Sequence, residues 1–139
     1  MKRVTLMTAT WVVVLNTIVL LAHSAAHFGL HVLPMTIFDY LFIGIVIMIL
    51  PLVALFMMYH TRLSRWGALL LLLSMLGSLI YGLINHLLLP GMDNVAHPGP
   101  EPWHLLFVIT SYLQLPLQAS GALVGMWALF SRQQAQTRT

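Results

Sequence analysis

Cysteine is absent from all 139 residues. Disulfides, thiolate metal centres and cysteine nucleophiles are therefore excluded. Charge is almost as scarce. Asp, Glu, Lys and Arg together make up 6% of the chain, against roughly a quarter in a soluble domain. Only three residues are acidic: Asp39, Asp93 and Glu101. Apolar residues fill the remainder to 60%. A water-soluble domain of this length could not cover that much apolar surface, so the bilayer is the solvent. The formal charge of +3 does not point to nucleic acid. The basic residues are few and scattered at segment ends, where membrane topology puts them, and they form no patch.

Four apolar stretches, at about 4–28, 37–59, 67–89 and 104–130, each exceed the ~20 residues that cross a bilayer core. In hydrocarbon every backbone group needs an internal partner, so each stretch is predicted to be a helix. Short connections predict antiparallel neighbours, giving an all-α, up-down four-helix bundle as a single domain over 1–131. The run at 132–139 is predicted to be a disordered tail. The start, Met1-Lys2-Arg3 followed by an apolar run and Ala22-His23-Ser24-Ala25-Ala26, resembles a signal peptide. The apolar run is long enough to span, which favours a retained first helix.

Charge is sorted along the chain. Lys2, Arg3, Arg62, Arg65, Arg132 and Arg138 fall on one side of the apolar segments, and the three acids fall on the other. The positive-inside rule then puts both termini inside and the connections 29–36 and 90–103 outside. Four-span chains of this size are common in bacterial inner membranes, and that is the expected location. Trp66 and Trp127 read as anchors at the inner boundary and Trp103 at the outer one, whereas Trp11 falls within the bilayer. The methionines of the helices read as flexible packing.

Six of the seven histidines lie on the acidic side: His23, His27, His31, His86, His97 and His104. His23, His27 and His31, at i, i+4 and i+8, share one face of the first helix, a face that Thr5 and Asn16 extend. Two imidazoles one turn apart can share a metal ion. His86 ends the third helix and His104 opens the fourth. His97, Asp93 and Glu101 lie in a connection whose four prolines and two glycines forbid a helix. Nitrogen and oxygen donors from several segments suit zinc or Cu(II), and Met35 and Met92 offer softer sulfur for Cu(I). First-choice ligands are His23, His27, His86 and His104. Second choices are His97, His31, Asp93 and Glu101, with Asp39 as an orienting carboxylate. His23-Ser24-Ala25-Ala26-His27 lacks the glutamate of a zincin helix.

A second constellation is polar and interior. Ser74, Ser78, Tyr81 and Asn85 recur on one face of the third helix, and Thr110, Gln114, Gln118, Gly121 and Gly125 on one face of the fourth. Hydrogen bonding and close helix approach account for the small residues. The bulkier Tyr81, Asn85, Gln114 and Gln118 are candidates to line a pocket for a quinone head group or a lipid. Pro51 and Pro116 are expected to disturb their helices.

The leading expectation is a membrane protein with a copper or zinc site at its outer face, for metal handling or redox chemistry. A b-type haem held by His23 or His27 with His86, in a quinol-interacting electron carrier, is the alternative. One drawback is that His86 falls about 100° around the third helix from the Tyr81/Asn85 face. A third reading is a non-catalytic subunit of a larger membrane complex. No acid–base pair or nucleophile names a reaction, so whether the protein is an enzyme stays open.

Overall fold

A computed structural model describes residues 3–32 and 36–136, with side chains through Ser131. Lys2, Pro34, Met35 and Arg138 of the sequence reading lie outside the described residues. The described residues are helical, with no strand. Four helices are long and apolar enough to cross a membrane. These are α1 (Arg3–Leu30), α2 (Ile37–Tyr59), α3 (Ser64–Leu88) and α4 (Trp103–Gln136). The last helix runs on to Gln136, past the end expected near 130 and into the stretch expected to be a disordered tail.

Local chemistry explains the helix ends. Thr36 and Asp39 form a reciprocal capping box, with Thr36 N–H donating to Asp39 Oδ2 at 2.9 Å and Asp39 N–H to Thr36 Oγ1 at 3.2 Å. α3 starts at Ser64, earlier than the expected 67, because Ser64 Oγ donates to the Thr61 carbonyl and Gly67 N–H to Leu63. α2 is widened into a π-helical stretch over Phe42–Ile49, ending just before Leu50-Pro51. Pro51 has no N–H and its ring crowds the carbonyl four residues back, so the ladder cannot pass it as a regular α-turn.

α4 packs on both α1 and α3, and α3 packs on α2. Contact between α1 and α2 concentrates in the Leu50–Tyr59 half of α2. There Thr10 Oγ1 and Tyr59 Oη lie 2.9 Å apart. Small residues set these crossings. A Cβ on Gly125 would stand 2.7 Å from Leu72 N, and one on Gly67 would stand 2.7 Å from Ala54 O. The serines expected to bond between helices bond within their own instead. Ser74 donates to Leu71 O and Ser78 to Ser74 O.

The molecule is divided along its length. Val13, Ala54, Leu71, Met75 and Ala128 belong to a dry core toward the Tyr59 and Ser64 ends of α2 and α3, which we call the arginine end. The buried polar residues His23, His86, Thr110, Gln114 and Gln118 gather toward the opposite, histidine end. The outside of the helices is apolar, with Trp11 63%, Phe56 64% and Trp66 62% exposed. Exposed aromatic and aliphatic surface of this kind is what hydrocarbon solvates.

Candidate metal centre

α1 turns one face inward along its length: Thr5, Ala9, Val13, Asn16, Leu20 and His23 are all buried. His27, one turn beyond His23, extends this stripe. On α3 the inward line is Ser74, Ser78, Gly82 and His86. Leu83–Leu88 is a second π-helical stretch. A π-turn takes more residues per revolution than an α-turn, so each residue advances less than ~100°. The separation between His86 and Tyr81 shrinks accordingly, and both line one cavity. The conflict expected on a regular helix is thus removed for Tyr81, whereas Asn85 does not line the cavity.

His23, His27 and His86 each bring one ligand nitrogen within 4.8 Å of the others, a cluster that could hold a metal ion. His23 and His27 meet edge to face with ring centroids 4.6 Å apart, and His23 and His86 at 4.8 Å. Phe107 of α4, buried, packs against all three rings at 5.1, 5.1 and 5.4 Å. It forms an apolar wall that fixes the imidazole planes.

Hydrogen-bond partners assign the tautomers. Thr110 Oγ1 lies 2.7 Å from the Leu106 carbonyl and 3.1 Å from that of Phe107. Its single proton serves its own helix, so it accepts from His23 Nδ1–H at 3.0 Å. His23 Nε2 then carries a lone pair, facing His27 Nε2 at 3.0 Å. His86 Nδ1 lies 3.0 Å from the Asp93 carbonyl and 3.3 Å from Asp93 Oδ1. Both are acceptors, so Nδ1 carries the proton and Nε2 is left free.

Asp93 reaches this position through the loop. Asn94 donates from Nδ2 to Leu89 O and accepts Ala96 N–H on Oδ1, an Asx-type turn. Val95 N–H closes the turn on the His86 carbonyl at 2.9 Å. Asp93 Oδ1 also lies 3.2 Å from His27 Nε2. It nevertheless has no aligned hydrogen bond, and neither does His27 Nδ1. His27 Nε2 has at most one proton for two acceptors, His23 Nε2 and Asp93 Oδ1. Lone pairs outnumber protons at this point.

The remaining candidates sit elsewhere. His104 Nε2 faces the Val95 carbonyl at 3.3 Å, and its Nδ1 stands 3.7 Å from Glu101, so it braces the loop outside the cluster. His97, His31 and Glu101 are exposed and outside the cluster, as is Met92. Asp39, expected to orient an imidazole, instead takes the Thr36 hydroxyl and N–H on Oδ2 and the Tyr81 hydroxyl on Oδ1. The carboxylate beside the imidazoles is Asp93. Asn85 donates to the Tyr81 carbonyl of its own helix and does not line the cavity, whereas Tyr81, Gln114 and Gln118 do. Phe107 and Asn94 are site residues that the sequence patterns do not single out. Phe107 lies three residues before Thr110, on the face already marked as inward, so helical phase alone could have found it.

A cavity of about 400 Å³ adjoins the cluster, mostly apolar and lined from His23, His27, His86 and Asp93 down to Ser78, Gln114 and Gln118. No family model, curated protein or solved structure matches this chain.

Proposed function

We propose that this protein is an integral membrane metalloprotein that binds one copper or zinc ion through His23, His27 and His86, with Asp93 beside them, for metal handling or redox chemistry. The proposal includes its setting. The chain forms an up-down bundle in a bacterial inner membrane, with both termini inside and the histidine end outside, from the sorting of Lys and Arg.

The observation that carries the reading is the surplus of lone pairs at one point. Metal–nitrogen bonds of about 2.0–2.1 Å set ligand atoms roughly 3.3 Å apart in a tetrahedral shell. The His23–His27 nitrogen separation of 3.0 Å and the His27–Asp93 separation of 3.2 Å are close to that. Thr110 and Asp93 hold the non-ligating nitrogens of His23 and His86, the outer-shell support expected of metal-ligating imidazoles. The donor set is imidazole and carboxylate without sulfur, which suits zinc or Cu(II) better than Cu(I). A bound ion would supply Lewis acidity, and copper one-electron chemistry as well. The b-type haem has less support. His23 and His86 are too close for a macrocycle to lie between them, and the wider His27–His86 pair, with ring centroids 6.0 Å apart, has Phe107 packed on both rings.

Metal analysis of the purified full-length protein, after chelation and reloading, tests the reading. One equivalent per chain is expected, with strong losses in His23→Ala, His27→Ala and His86→Ala. His60→Ala, exposed at the arginine end, is the control. Wild-type metal content in all three cluster variants would overturn the site. A Soret band in the untreated protein would favour haem instead.

A further inference from the structure

The cavity beneath the histidines contains a second polar site, distinct in chemistry from the first. Gln118 Nε2 donates weakly to Gln114 Oε1 at 3.4 Å. Gln114 Nε2 and Gln118 Oε1 are left buried with no partner, on side chains 5% and 1% exposed. The amide orientation does not alter the count. Reversing both amides again leaves one free N–H donor and one free carbonyl acceptor. Reversing only one sets like atoms against each other. The Ser78 hydroxyl, which lines the same cavity, spends its proton on its own helix.

Buried unpaired amides are costly, and costlier still where the surroundings are apolar. A group that donates and accepts through one atom answers both vacancies, and a hydroxyl is the simplest such group. The rest of the cavity defines what carries that hydroxyl. Its lining is mostly aliphatic and aromatic, with the rings of Phe28, Tyr40 and Tyr81 in addition to those of the three histidines. A flat aromatic head has faces to stack on there. The volume of about 400 Å³ suits a small molecule.

The route in is lateral. α1 meets α2 mainly through the Leu50–Tyr59 half, so the other half of α2 stands away from α1. Leu21, Phe28 and Tyr40, which line the cavity, are about half exposed or more. They form an exposed, largely apolar rim to the cavity between α1 and α2.

We propose that this cavity binds a lipid-phase phenol or quinol, with its hydroxyl between the Gln114 and Gln118 amides and its apolar tail leaving between α1 and α2. The proposal does not depend on the metal, so the test uses metal-free protein. The chelated full chain in lipid nanodiscs is titrated with decylphenol, decylanisole and decylbenzene, with empty nanodiscs as the baseline. Decylphenol should saturate at one per chain. Decylanisole keeps the acceptor but lacks the donor, and should bind about tenfold more weakly or worse. In Gln114→Leu/Gln118→Leu the preference for phenol over decylbenzene should vanish. Equal binding of the three probes to the wild type would mean an acyl-chain groove and would overturn the proposal. So would the absence of saturable binding, which would leave the amides to trapped water.

Discussion

Asp93 follows His86 by seven residues and turns back to meet it twice, with its carbonyl oxygen 3.0 Å and its Oδ1 3.3 Å from the same imidazole nitrogen. One residue thus fixes the tautomer of His86 with its backbone and brings a carboxylate to the cluster with its side chain. Removing the carboxylate should therefore weaken metal binding while leaving the loop folded. Asp93→Asn is expected to lower metal affinity by about 10-fold or more, at least the loss usual for a group that only supports the ligands. A competition titration with a chromogenic chelator measures this, and wild-type affinity in the variant would remove Asp93 from the site.

His104 supplies the contrast. It touches the Val95 carbonyl from outside the cluster and is partly exposed. His104→Ala should keep full metal content and lose no more than about 1 kcal/mol of stability, the scale of one hydrogen bond. Metal loss matching that of His86→Ala would place His104 among the ligands after all.

Affinity for the ion should depend on pH in one direction. Imidazoles ligate as neutral bases, so binding releases protons from any that are charged. Affinity should therefore hold at neutral pH and fall on acidification, as the imidazoles become charged. Equilibrium dialysis against zinc between mildly acid and neutral pH reads the slope. Affinity that rises on acidification would contradict imidazole ligation.

The crossing of α3 and α4 should not tolerate bulk. A Cβ at Gly125 would stand 2.7 Å from Leu72 N and 2.9 Å from Ala68 O, both backbone atoms that cannot swing away. Gly125→Val is expected to destabilise by about 1–3 kcal/mol. Gly44→Ala, where an added Cβ meets nothing within 4 Å, should be neutral or slightly stabilising. Thermal unfolding in detergent compares the two directly.

Orientation is open to labelling from outside intact cells. Ala96 and Thr61 are exposed at opposite ends of the molecule. Cysteine at Ala96 should react with an impermeant maleimide, and cysteine at Thr61 should react only after lysis. The reverse pattern would put the histidine end in the cytoplasm.

The sequence by itself determined the four long apolar helices. A 6% charged chain with four long apolar runs has only one economical way to satisfy its backbone in lipid. It also marked the inward faces of α1 and α4, because an i, i+4 spacing sets a face whatever the neighbours are. The pairing of His23 with His27 was legible for that reason. Only the tertiary structure decided the rest of the site. His86, a first-choice ligand from the sequence, meets the cluster, and the π-helical stretch over Leu83–Leu88 lets Tyr81 line the same cavity, which α-periodicity alone does not foresee. Asp93 displaced Asp39 as the carboxylate beside the imidazoles because Asn94 folds the loop back, while the Thr36 cap and Tyr81 engage Asp39. His104 stays outside the cluster, with its ring nitrogens turned to the Val95 carbonyl and toward Glu101. Helical spacing fixes direction around one axis, but which donors meet across axes depends on loop closure and helix crossing, and those are set by contacts far apart in the chain.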